Sequence, residues 1–157
     1  MRLVLVESPF AYKHEDPAER RIGLLRNVTY ARHALHDCFL RNEAPYASHL
    51  LFTQPFVLDD DIEEERKLGI DAGLLWGSKA EMSVLYTDLG ISSGMRYGIE
   101  NARRAGRPYE ERSLPDWAMA ASEAPRDTLI RLGLYSAEAL DRFAAGADEV
   151  FAPVFHR

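Results

Sequence analysis

The sequence predicts an α/β domain built on a mostly parallel sheet. Two observations carry that prediction. Short apolar runs of strand length alternate along the chain with longer stretches whose apolar residues recur at helical spacing, and the linkers between them are of ordinary length. The apolar runs also end in loops rich in Gly, Ser and Pro, as expected where buried parallel strands leave a sheet. With 157 residues, 46% of them hydrophobic, the chain holds one domain with a sizeable core.

The elements follow in order. Leu3-Val4-Leu5-Val6 is a continuous apolar run stopped by Glu7-Ser8-Pro9, which reads as a central strand ending in a loop. From about Arg20 a helical pattern begins, with Val28, Ala31, Leu35, Cys38 and Phe39 on the apolar face and Arg32, His33, His36 and Asp37 elsewhere. Cys38 on that face reads as inert packing. Residues 44–52 read as a second strand running into Thr53-Gln54-Pro55. Asp59-Asp60-Asp61 is expected to cap the next helix, about 62–78, whose stripe of Gly69, Ala72, Gly73 and Trp76 lets it approach a sheet, with Trp76 in the core. Residues 81–86 form a third strand, and residues 87–94 a glycine- and serine-rich turn into a helix carrying Met95, Ile99 and Ala102. Gly106-Arg107-Pro108 closes that helix, and residues 109–114 form a fourth strand. The expected architecture is a Rossmann/flavodoxin-like three-layer domain with a mostly parallel sheet of four to five strands.

After Pro115 the character changes. Residues 117–121, 126–132 and 137–145 read as short helices without an intervening strand, the last capped by Ser136. The chain therefore divides into an α/β domain at 1–115 and a helical extension at 116–157, packed on the same domain or on a partner subunit. Trp117, Met119, Leu129, Ile130, Leu132, Leu134, Tyr135, Leu140, Phe143 and the apolar end with Val150, Phe151 and Phe155 predict a homo-oligomer, a dimer or higher, with the extension in its interface.

Charge and cysteine usage exclude several classes. A formal net charge of -6 argues against a protein that coats duplex nucleic acid, which needs a basic footprint. Cys38 is the only cysteine, so one chain builds neither a disulfide nor a thiolate zinc site, and a reducing, cytoplasmic compartment is expected. No secretory signal and no run of about 18 apolar residues occurs, so no membrane association is expected. The five histidines lack paired ligand spacing, and neither a metal nor a cofactor is expected.

Three strand-end segments converge at the carboxyl edge of such a sheet, where open α/β folds bind ligands. They are Glu7-Ser8-Pro9 with Tyr12, Ser48-His49, and residues 88–95. In the last segment Gly90 supplies the turn, Ser92 and Ser93 cap the helix, and the N–H groups of Ser93, Gly94 and Met95 are available to a phosphate or carboxylate. A capped helix with a turn glycine explains the same residues equally well. Neither a P-loop nor a GxGxxG fingerprint is present. His49 is either a donor to a phosphate or base or a satisfied histidine beneath a loop, and Tyr12 either stacks on a base or covers core. Glu100 and Arg104, at i and i+4, read as a surface pair.

Glu7-Ser8-Pro9, Ala47-Ser48-His49-Leu50, Asp59-Asp60 followed by Glu65-Arg66 and Gly69-Ile70, then Ser93-Gly94-Met95 and Ala102, stand in a telling order and spacing. Over roughly residues 3–114 the chain resembles the nucleoside 2-deoxyribosyltransferase-like superfamily, especially its poorly characterised bacterial and phage branch. In such enzymes a strand-end aspartate handles the base, and a helix glutamate four residues after the glycine attacks the anomeric carbon or stabilises its positive charge. The resemblance assigns the aspartate to Asp88. The glutamate position falls on Gly98, which cannot do that work. Glu7 can substitute, because a partly buried carboxyl with a raised pKa serves as acid or base and an ionised one attacks or stabilises a cation. Its plain alternative is a strand-end carboxylate bonded to loop N–H groups.

The expected function is therefore an enzyme of the N-glycosidic bond of a nucleoside or nucleotide, hydrolase or transferase, with Asp88 and Glu7 catalytic. Ser8, Pro9, Tyr12, His49, Gly90, Ser92, Ser93, Gly94 and Met95 are the candidate ligand-binding residues. The alternatives are a non-catalytic nucleotide-binding or sequestering domain that lost its nucleophile, and a structural subunit.

Overall fold

The computed structural model describes residues 1–147. Four strands form one sheet in the order β2-β1-β3-β4, with every neighbouring pair parallel: β1 (Arg2–Glu7), β2 (Glu43–Tyr46), β3 (Met82–Tyr86) and β4 (Tyr109–Arg112). Among the described residues six α-helices accompany it, α1 (Pro17–Leu40), α2 (Ser48–Leu51), α3 (Glu63–Gly77), α4 (Ser93–Arg104), α5 (Pro125–Arg131) and α6 (Ala137–Ala144), with a short 3₁₀ turn at Pro115–Trp117. The sequence-predicted α/β class, with its parallel sheet and C-terminal helices, is the fold of this chain.

The sheet is sorted by the two-residue period of a strand. Val4, Val6, Val84 and Tyr86 face α1 and pack with Tyr30, Ala34 and Cys38. Leu5 and Glu7 face the other way, toward α3 and α4, where they lie against Gly77 and Gly98. A second cluster joins Ile22 and Leu25 of α1 to Leu129 of α5 and to Leu140 and Phe143 of α6.

Several boundaries differ from the sequence reading. Helix α1 starts at Pro17 rather than near Arg20, because Asp16 caps it through a 2.8 Å bond from the Ala18 N–H and proline suits the first helical position. Its Phe39 is 55% exposed, so the apolar face stops at Cys38. Strand β2 ends at Tyr46, and the apolar residues Leu50 and Leu51 belong to the single turn α2. The Asp59-Asp60-Asp61 run does not cap α3, whose N-cap is Ile62 without a side-chain bond. Asp59 instead accepts from the Asp61 N–H and Asp60 pairs with Arg66 at 2.5 Å, while Glu63, Glu64 and Glu65 supply the negative first turn. Trp76 is 61% exposed and lies outside the core, since Gly73 on the stripe turns toward Ser48 of α2.

The C-terminal helices pack on their own chain. Trp117, Leu129 and Leu140 are essentially buried within it, and the Trp117 indole donates to His33 of α1 at 3.0 Å. Of the apolar residues that suggested a subunit interface, Trp117, Leu129, Leu140 and Phe143 are covered by their own chain, Met119 and Ile130 are exposed, and Val150, Phe151 and Phe155 lie outside the described residues. No helix among the described residues is long and apolar enough to cross a membrane.

Candidate active site

The strand order makes a crevice between the carboxyl ends of β1 and β3. The chain leaves β1 toward β2 on one side and leaves β3 toward β4 on the other, and open α/β sheets bind ligands at such a reversal. Glu7 is the last residue of β1 and pairs in register with Leu85. Around it opens a cavity of about 720 Å³ whose wall includes Ser8, Ser48, His49, Gly73, Ser93 and Gly98.

The Glu7 carboxyl faces this cavity with no hydrogen-bond partner among the described residues. It lies directly over α4, where a Cβ placed on Gly98 would come within 2.5 Å of Oε1 and 2.8 Å of the carboxyl carbon. Only glycine leaves room for the carboxyl there. Burial pushes Glu7 up to about 7, against the pull of the Arg107 guanidinium. Arg107 is itself buried, donating to Ser83 Oγ at 3.0 Å and to Asn101 Oδ1 at 3.2 Å, with no ion pair to a carboxylate among the described residues.

Beside Glu7, Ser8 Oγ and His49 Nε2 lie 2.9 Å apart in a hydrogen bond whose direction follows the imidazole tautomer. Burial holds His49 down to about 4, so the ring is neutral at neutral pH. Its Nδ1 has no hydrogen bond among the described residues. Such a weak base without an orienting acid is poorly suited to activate Ser8 as a nucleophile, and the pair is better suited to hydrogen-bonding a neutral polar group. At the opposite wall Ser92 caps α4, its hydroxyl accepting the Met95 N–H at 3.3 Å. That leaves the N–H groups of Ser93 and Gly94 as the donors at this helix start.

Of the sequence-predicted residues, Glu7, Ser8, Tyr12, His49, Ser92, Ser93, Gly94 and Met95 line the cavity, and Pro9, Gly90 and Asp88 do not. Asp88 Oδ2 accepts the Tyr30 hydroxyl at 2.7 Å and the Leu114 N–H at 2.8 Å, and the Asp88 N–H returns a 3.0 Å bond to Tyr30. The aspartate thus fixes the β3–α4 loop to α1 and to the chain after β4. Glu100 and Arg104 form the expected surface pair at 2.9 Å. Sequence reasoning missed Arg107, which sits in a turn read only as a helix end, and Phe10, whose ring meets His49 edge-on at 6.2 Å. Nothing in their local sequence marks either one as part of a site.

The family described as "Domain of unknown function (DUF7768)" matches residues 2–112. The chain belongs to this family. The DUF7768 match begins at the first residue of β1 and ends at the last of β4, so it contains the whole sheet and every residue of the crevice described above. Comparison with curated proteins and with solved structures returns no match.

Proposed function

We propose that this DUF7768 protein is an enzyme of the N-glycosidic bond, which releases or exchanges the base of a nucleoside or nucleotide with Glu7 as the carboxylate beside the anomeric carbon. One observation carries this reading: the Glu7 carboxyl stands in the crevice unengaged, over a glycine that alone leaves it room. A partly buried carboxyl without a hydrogen bond costs the fold stability, and such costs collect at functional sites. The resemblance to the nucleoside 2-deoxyribosyltransferase-like superfamily supports the same chemistry, with the carboxylate arriving from β1 rather than from position 98.

The base departs with the C–N bonding pair, leaving positive charge on the anomeric carbon and the ring oxygen. Ionised Glu7 stabilises that charge. As water bonds to the anomeric carbon its proton passes to Glu7 and later to solvent, while the departing base takes a proton from solvent. In exchange, a second base replaces the water. A carboxyl poised at about 7 is divided between its two forms near neutrality, which suits a group that takes and returns a proton in each cycle. Neutral His49 and Ser8 offer hydrogen bonds to a sugar hydroxyl, and the Ser93 and Gly94 N–H groups to a phosphate. Asp88, engaged by Tyr30 and Leu114, positions the loop that carries them rather than the base.

A nucleotide-binding module without turnover is the second reading, favoured by the same engagement of Asp88, which takes the acid implied by the resemblance out of the crevice. Chromatography of free base from a panel of nucleosides and nucleotides, with and without an acceptor base, separates the two. The wild-type protein is expected to release or exchange base, and Gly98→Ala, which displaces the Glu7 carboxyl, to be slower by about 100-fold. Binding without product across the panel decides for the module.

A further inference from the structure

A second cavity of about 590 Å³ adjoins the first. Phe10, Tyr12, Arg20, Thr53 and Leu58 line both, so they are an inner and an outer lobe of one cleft. The outer lobe has a fixed wall. The Tyr12 ring lies so close on α1 that a Cβ at Gly23 would overlap it, and the Arg26 guanidinium sits 5.3 Å from the ring centre. Phe56, on the loop between α2 and α3, lines the outer lobe, and two features of it are costly for a phenylalanine. Its backbone is left-handed, with φ of 68°, a conformation that a bulky side chain adopts only at a cost. Its side chain is fully exposed, with Val57 beside it half exposed. The Val57 N–H donates to the Gln54 carbonyl at 3.0 Å and closes a turn with Pro55 and Phe56 at its centre, which accounts for the left-handed backbone but leaves the phenyl ring uncovered by the described residues.

We propose that the outer lobe is a subsite for a planar heteroaromatic ring, the base of the ligand, which Phe56 covers while Phe10 and Tyr12 form the standing wall. This rests on the reading of the inner lobe as the sugar site. An aromatic ring stacks on exposed phenyl and phenol faces whatever its sequence of ring atoms. The polar rim of Gln54, Asp59 and Asp61 suits the hydrogen-bonding edge of a base and not a hydrocarbon chain. The strained, solvated Phe56 is then a binding device, its cost in the free protein recovered when the ring is covered.

Calorimetric titration of the full chain carrying Glu7→Gln, which removes turnover from the measurement, tests this with adenine, adenosine monophosphate and ribose phosphate as probes. Adding Phe56→Ala or Phe56→Asn is expected to weaken adenine and adenosine monophosphate about tenfold and to leave ribose phosphate unchanged. Phe56→Asn is also expected to raise the melting temperature of the free protein by a few degrees, since asparagine accepts a left-handed backbone. Unchanged affinity for adenosine monophosphate, equal weakening of ribose phosphate, or no binding of adenine overturns the proposal. Phe56-dependent adenine binding by a wild-type protein that releases no base keeps the subsite and removes the glycosidic reading. Base release that ignores Phe56 does the reverse.

Discussion

Glu7 and His49 share the inner lobe, and burial shifts them in opposite directions because it favours the uncharged form of each. Glu7 rises from 4.5 to about 7, so its contribution to stability is complete below about pH 4.5 and is lost as pH rises through 7, the native state holding a proton that the unfolded chain has released. His49 falls from 6.5 to about 4, so its contribution is complete above about pH 6.5 and is lost as pH falls through 4. Between pH 4.5 and 6.5 the two slopes oppose each other. Denaturant titrations of His49→Gln are therefore expected to expose the falling Glu7 slope, at most about 3 kcal/mol across its window. In Glu7→Gln the stability should rise with pH between 4 and 6.5 more steeply than in the wild-type protein. Parallel profiles in all three proteins would contradict the burial of both groups. At this scale the sequence is readable where a residue ends a strand: Glu7, Ser8 and Ser92 to Met95 are in the crevice for that reason. Asp88 is equally a strand-end residue, yet its partner Tyr30 lies 58 positions away, a distance no local pattern reports.

Among the elements, the two outer strands are tied beneath α1 by charge. Arg112 of β4 donates to both oxygens of Glu43 of β2, at 2.7 and 2.9 Å, with both side chains almost wholly buried, and Arg2 adds a 2.6 Å bond from β1. The Arg112 partnership holds Glu43 down to about 2. Removing one partner of such a pair leaves a buried charge uncompensated, whereas replacing both with apolar groups can be close to neutral. Urea unfolding of Arg112→Met is expected to lose about 3–5 kcal/mol, and of Arg112→Met with Glu43→Leu clearly less. Simple addition of the two single losses would show that the pair is not coupled. This tie also explains why β2 was poorly legible. It opens on a buried glutamate and carries Pro45, while the apolar residues after it, Leu50 and Leu51, turn into α2. Strands β1 and β3, central and buried on both faces, read directly as apolar runs. Trp76 reads as core from its spacing and is exposed, because the neighbouring glycines face α2 and a loop.

For the molecule as a whole, the family match ends at β4, but the core does not. Trp117 closes over Tyr30, their ring centres 5.0 Å apart, and Leu129, Leu140 and Phe143 complete the cluster on Ile22 and Leu25. Each such side chain is worth about 1.5–3 kcal/mol on burial, so together they match the stability of a typical domain. A chain ending at Leu114 is expected to lose cooperative unfolding, followed by circular dichroism, and a truncated protein melting at the wild-type temperature would contradict that. The Leu114 N–H, just before these helices, completes the Asp88 bracket that holds the loop leading into α4. The proposed function rests on the Glu7 carboxyl, which faces the crevice without a hydrogen-bond partner among the described residues. Its most direct test is the steady-state release of free base by the wild-type protein and by Glu7→Gln, which keeps the shape of the side chain and removes its charge. The account predicts that the wild-type rate changes with pH around 7, and that kcat and kcat/KM fall together by about 100-fold or more in Glu7→Gln while nucleotide binding persists. Base release at the wild-type rate by Glu7→Gln, or none by either protein, would contradict it.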